Sequence, residues 1–208
     1  MIFLFNCSLE EALTNNINTI TTHNIVLIGD SMLNNSVYVL SGQSIPDLIS
    51  KDLEKITGTT LYNFAKDGAT INDCYSQLDK ISTDLNNSNT TIFISVGGNN
   101  ILNSRTKMDF TAITNLFNQY IELIKSIKTR LPNANIVVLN LYFPVRSHYL
   151  SYYDAIEQWN KLLEDNTFLG YKLIQTNKLL VTADDFTYDI EPSFKGGKKI
   201  ATAILDNK

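Results

Sequence analysis

The feature that most restricts the fold is an alternation of two apolar patterns along the chain. Short runs of strand length, rich in β-branched residues, are separated by longer stretches with a helical period. The strand candidates are residues 25–28, 60–64, 91–96, 136–141 and 171–174. The helical stretches are 44–56, 71–85, 110–131, 156–163 and 194–205. In the first helix Ser44 is placed to cap, Pro46 suits the first turn, and Leu48, Ile49, Leu53 and Ile56 share a face. In the third, Ile113, Leu116, Phe117, Tyr120, Ile121 and Ile124 form the apolar side, and Pro132-Asn133 stops it. Strands that alternate with helices predict an α/β fold, a parallel sheet covered on both faces. In such sheets ligands bind at the carboxyl ends of the strands. Function is therefore expected just after Ile28, Phe64, Val96 and Leu141.

Composition narrows the class. The 208 residues suit one domain over 1–208, with 1–22 as an N-terminal extension, and are enough to bury a core without disulfides. The net charge of −4 argues against a nucleic-acid partner, because a phosphate backbone needs a positive patch. Lys198-Lys199 reads as a solvated helix face. The two cysteines, Cys7 and Cys74, read as free thiols. With only His23 and His148 beside them they form no metal-ligand pattern, so a structural zinc site is not expected. The segment 1–5 is apolar but too short, and lacks a basic leader, for a signal peptide, which favours a cytoplasmic location. No stretch nears the roughly 20 apolar residues of a membrane span.

The strand ends carry the chemistry. Gly29-Asp30-Ser31 follows the first strand, where a glycine and a small hydroxyl residue permit a sharp turn with an exposed Oγ. Asn63 to Thr70 follows the second and contains Gly68, a candidate backbone N–H donor or simply a turn into a helix capped by Thr70. Gly97-Gly98-Asn99-Asn100 follows the third; Asn99 offers an amide donor, or the asparagines cap the next segment. Each element alone favours the plainer alternative. Together, a serine, a glycine N–H and an Asn amide at adjacent strand ends are what an oxyanion hole needs.

These blocks resemble those of the SGNH (GDSL-type) hydrolases. The match comprises Gly29-Asp30-Ser31; Asn63, Ala65, Gly68, Ala69 and Thr70; Gly97-Gly98-Asn99-Asn100; and Tyr188 to Gly196 followed by Ile200-Ala201. The resemblance runs from Ile25 to the end of the chain. It implies a flavodoxin-like three-layer sandwich with five parallel strands and a Ser31 nucleophile. It also implies an oxyanion hole from the Ser31 and Gly68 N–H groups and the Asn99 side chain. The implied ligand is a small acyl ester or an acylated glycan, and the resemblance implies no metal or organic cofactor.

The last block departs from the pattern. Glu191 stands where the family has its catalytic histidine, and Tyr188 where it has the aspartate three residues earlier. Asn100 is a smaller departure, replacing an aspartate. Three readings compete. Glu191 serves as the base, held by the Tyr188 hydroxyl or a neighbour such as Asp189. Alternatively, His148, in the loop after the fourth strand, substitutes. Or the chain is a pseudoenzyme that keeps the pocket and binds an acyl or glycan ligand or a protein partner without turnover. An ordinary Glu is roughly two pK units less basic than His, and burial narrows that gap. The plainer reading of 191–193 is a helix start capped by Ser193. Tyr142, Phe143, Tyr149, Tyr152 and Tyr153 cluster after the fourth strand, either to pack that loop or to wall an acyl pocket.

Overall fold

The computed structural model describes residues 23–54, 58–104 and 107–208. Five strands form one parallel sheet: β1 (His23–Gly29), β2 (Thr59–Asn63), β3 (Thr90–Ser95), β4 (Asn135–Leu139) and β5 (Lys172–Ile174). Their order is β2-β1-β3-β4-β5. Every residue of β3 is buried, and so is β1 from Ile25 onward, which requires cover on both faces of the sheet. The helices α1 (Ile45–Leu53), α2 (Ile71–Asp79), α3 (Gly98–Leu102), α4 (Phe110–Arg130), α5 (Tyr153–Asp165), α6 (Thr176–Leu179) and α7 (Phe194–Asp206) supply that cover. Helix α1 packs on α7, while α4 packs on both α2 and α5. An edge-to-face set of Phe117, Tyr120 and Trp159 fills the α4–α5 seam. None of the described helices is long and apolar enough to cross a membrane.

The local signals explain where elements begin. Ser44 Oγ accepts the Asp47 N–H at 3.2 Å and Asp47 Oδ2 accepts the Ser44 N–H at 3.1 Å, a reciprocal cap with Pro46 in the first turn. Asp109 caps α4 through the Ala112 N–H at 2.8 Å. The expected helix over 71–85 is shorter: α2 ends at Asp79, and a separate 3₁₀ turn runs over Thr83–Leu85, started by Ser82 Oγ accepting the Asp84 N–H. Ile81 and Leu85 are buried on either side of this break, so the apolar period continues where the helix does not. Ile56, Cys7 and the segment 1–22 lie outside the described residues.

The alternation pattern does not reveal one element that bears on the site. After β5 and α6 the chain forms an antiparallel hairpin of β6 (Phe186–Thr187) and β7 (Glu191–Pro192), pairing Thr187 with Glu191. Its turn holds two non-glycine residues in the left-handed region, Tyr188 at φ +46° and Asp189 at φ +71°.

Candidate active site

Ser31 lies in a tight turn at the carboxyl end of β1, beside the point where the chain order of the sheet reverses between β1 and β3. Position 29 admits only glycine. Its φ is +131°, and a Cβ there would meet the Ser95 carbonyl oxygen at 1.9 Å. Buried Gln77 of α2 clamps the Gly29 peptide from both sides, accepting its N–H at 2.6 Å and donating to its carbonyl at 2.9 Å. The turn closes on Asp30: its carbonyl accepts the Leu33 and Asn34 N–H groups, and its Oδ1 accepts the Met32 N–H at 3.1 Å. The Ser31 N–H has no partner among the described residues.

Two neighbouring strand ends are tied to this turn. Asn34 Nδ2 donates to the Ala65 carbonyl at 3.0 Å, which joins the turn to the loop after β2. In that loop Gly68 is exposed at φ +72°, and its N–H is likewise without a partner. Thr70 N–H and Oγ1 both donate to Asp73 Oδ2, which caps α2 as expected of a residue in that place. After β3, Asn99 and Asn100 belong to the short helix α3 rather than to a loop. Asn99 Nδ2 donates to the Ala69 carbonyl at 3.0 Å, and Asn100 Oδ1 accepts the Ile71 N–H at 3.0 Å. One Asn99 amide hydrogen is thereby used for positioning and the other is left over. Asn100 serves the start of α2.

Ser31, Asn99 and Glu191 line the same small cleft, of about 60 Å³. Gly68 is at the turn beside it and not on its wall. The rest of the lining is mainly apolar, from residues such as Met32, Ile101, Leu141, Tyr142, Tyr149 and Ile156. The aromatic residues after β4 divide between both roles proposed for them. Tyr142, Tyr149 and Tyr152 line the cleft, while Phe143 packs on Tyr153 with ring centroids 5.0 Å apart.

The β6–β7 hairpin brings Glu191 to the cleft. It is held by Asn35, fully buried, whose Nδ2 donates to the Pro192 carbonyl at 2.8 Å while its Oδ1 accepts the Ile45 N–H at 2.8 Å. Tyr142 adds a bond from its hydroxyl to the Ile190 carbonyl at 2.7 Å. Ser193 caps α7 directly after, accepting the Gly196 N–H. Burial pushes the Glu191 carboxyl above its usual range; the Ser31 hydroxyl opposes that shift, and the charge of Asp67 adds to it. The Ser31 contact falls short of a well-formed hydrogen bond, and Glu191 Oε2 is buried without a partner.

The supporting residues expected around Glu191 are elsewhere. Tyr188 is 72% exposed and its ring rests against that of Tyr38, centroids 5.7 Å apart. Its left-handed backbone turns the side chain outward, so its hydroxyl does not hold Glu191. Asp189 pairs with Arg146 at 2.9 Å. His148 is exposed, stacks on Tyr149 and is not part of the cleft wall. His23 begins β1, at the opposite end of that strand from Ser31. Among the described residues no three His, Cys, Asp or Glu side chains gather in a metal-holding group. Three contributors carry no signal in the sequence: Gln77, Asn35 and Asp67.

The chain matches the model of the GDSL-like lipase/acylhydrolase family over residues 27–187. Its fold is similar to a member of the lipolytic G-D-S-L family from Veillonella parvula, with a TM-score of 0.70 and 16% identity over 89% of this chain and 97% of that one. It is also similar to a lipase from a goat rumen metagenome, with a TM-score of 0.67 and 19% identity over 89% and 97%. An acetyl xylan esterase from Geobacillus stearothermophilus has a TM-score of 0.65 and 14% identity over 89% and 95%. No curated protein sequence matches the chain. At these identities the structural likeness speaks to the fold.

Proposed function

Because the chain belongs to the GDSL-like lipase/acylhydrolase family, we propose that it is a serine ester hydrolase acting on a small acyl ester, with Ser31 as nucleophile and Glu191 as its base. The observation that carries this reading is the Glu191 carboxylate beside the Ser31 hydroxyl, with burial raising its proton affinity. In the first step the Ser31 proton passes to Glu191 as Oγ bonds to the acyl carbon. The tetrahedral oxyanion is met by the Ser31 N–H and the remaining Asn99 amide hydrogen, with the Gly68 N–H reaching it only if the turn beside the cleft closes in. Collapse expels the alcohol, which takes the proton back from Glu191. Water then gives a proton to Glu191 as it attacks the acyl-serine; collapse expels Ser31 Oγ, which takes that proton back from Glu191, and releases the acid. The small volume of the cleft favours a short acyl group, on a simple alcohol or on a glycan.

A base works only when ionised, so turnover should rise with pH through the Glu191 pKa, which burial holds above the ordinary glutamate value. The test is p-nitrophenyl acetate hydrolysis from pH 4 to 7 by the unaltered protein, Ser31→Ala and Glu191→Gln. Activity lost in Ser31→Ala, and reduced on the order of 10²–10⁴-fold in Glu191→Gln, supports the assignment. Equal rates in all three would remove it. A second reading, a cleft that binds an acyl or glycan ligand or a protein partner without turnover, is favoured by the absence of an imidazole from the cleft wall. Equal silence in all three proteins, with acetate or a short acyl glycan still bound in calorimetry, would select it.

A further inference from the structure

Glu191 is not the only carboxyl group on the cleft. Asp30, 4% exposed, also lines it, on the other side of Ser31 in sequence. Its Oδ1 faces inward, accepting the Met32 N–H at 3.1 Å and a long contact from Ser95 Oγ at 3.5 Å. Its Oδ2 is turned towards Gly98 on the cleft wall, 3.9 Å from where a Cβ at that position would stand. Among the described residues no lysine, arginine or histidine lines the cleft. Two carboxyl groups therefore share one small, mainly apolar space with no cation among the described residues to balance them. A site of that kind does not hold two negative charges.

We propose that Asp30 and Glu191 form a carboxyl pair that carries one proton, with Asp30 the protonated member. On the ester-hydrolase reading, neutral Asp30 is then a positioning residue for Ser31. The choice of Asp30 follows from its surroundings. Burial raises its carboxyl to about 7; the Met32 N–H pulls it down, and the charge of Glu191 pushes it up by less than that. The other groups facing it are the Cys74 thiol from α2, the Tyr142 phenol after β4 and the Ser95 hydroxyl from β3. Burial pushes both the thiol and the phenol up, so neither supplies a charge. Glu191 is faced by the Ser31 hydroxyl, by Asp67, and by the Tyr38 and Tyr149 phenols, also raised chiefly by burial. It is the less enclosed of the two carboxyls, and so it is the one that ionises first.

The arrangement accounts for how the turn works without an imidazole. Neutral Asp30 fixes the Met32 N–H and leaves a single negative charge, on Glu191, to accept the Ser31 proton. Once Asp30 ionises, a second charge in the same low-dielectric cleft opposes formation of the oxyanion. Turnover is then bounded below by Glu191 ionisation and above by Asp30 ionisation, as apparent values belonging to the pair.

Two readouts test this. The first is a ¹³C carboxyl NMR titration of Asp- and Glu-labelled protein, with the Asp30 resonance identified by its loss in Asp30→Asn. The expected midpoint is about 7, moving down in Glu191→Gln. A midpoint near the ordinary aspartate value would overturn the pair. The second is the alkaline limb of ester hydrolysis. In the unaltered protein activity should fall roughly tenfold one pH unit above the Asp30 midpoint, and Asp30→Asn, which keeps the Met32 acceptor, should lose that fall. A limb that persists in Asp30→Asn would overturn the positioning role. If no ester is hydrolysed while Asp30 still titrates near 7, the hydrolase reading fails and the one-proton pair stands.

Discussion

The two halves of the candidate site are built in contrasting ways. The Ser31 turn is over-determined: Gly29 is gripped by Gln77, the Asp30 carbonyl closes two bonds, the Asp30 N–H donates to the Ser95 carbonyl at the end of β3, and Asn34 ties the loop after β2 to it. The Glu191 arm is a hairpin of two-residue strands whose turn places Tyr188 and Asp189 in the left-handed region. Left-handed non-glycine residues cost on the order of 1 kcal/mol each. The half proposed to supply the nucleophile and receive the oxyanion keeps the family pattern, while the half proposed to handle protons has departed from it. On the proposed reading a rigid turn preserves the geometry of attack, while the base sits on a separate arm held by Asn35 and Tyr142.

This contrast can be broken from either side. The largest effect is expected at Gly29→Ala. A methyl group 1.9 Å from the Ser95 carbonyl forces the ends of β1 and β3 apart. A stability loss of roughly 4 kcal/mol or more, or failure to fold, is expected by urea denaturation. A loss below about 1 kcal/mol would mean the turn is not rigid. Asn35→Ala comes next, because Asn35 is the buried link between the start of α1 and the arm. Leaving the Ile45 N–H and Pro192 carbonyl unpaired should cost about 2–4 kcal/mol. It should also lower kcat more than it raises KM, since the arm carries the base. The smallest effect is expected at Tyr188→Gly. It relieves a left-handed backbone but removes an exposed ring that rests against that of Tyr38. A net change within about 1 kcal/mol and an unchanged pH profile should follow. A shifted acid limb in this variant would mean that Tyr188 governs Glu191 after all.

How far the sequence discloses the molecule follows the same division. The five strands are readable because each is a compact apolar run, and Ser31, Gly68 and Asn99 because each follows a strand within a few residues. The early end of α2 is not readable, since Ile81 and Leu85 keep the apolar period going past the break at Ser82. The hairpin is hidden because its strands are two residues long and its turn uses Tyr188-Asp189, with no glycine to mark it. Glu191 is picked out only by resemblance, as the residue in the histidine's place. The braces are invisible for a different reason: Gln77 acts 48 residues from Gly29, and Asn35 acts 157 residues from Pro192. The acidity of Asp30 depends on what encloses it, which its motif does not encode.

The most direct test of the central claim, that Glu191 activates Ser31, is labelling by a fluorophosphonate followed by peptide mass spectrometry. Rates would be measured from pH 4 to 6.5 on the unaltered protein and on Glu191→Gln. The account predicts an adduct on Ser31 that forms faster as Glu191 ionises, and labelling slowed by at least about 10²-fold in Glu191→Gln. An unlabelled Ser31, or labelling equally fast in both proteins, would contradict it.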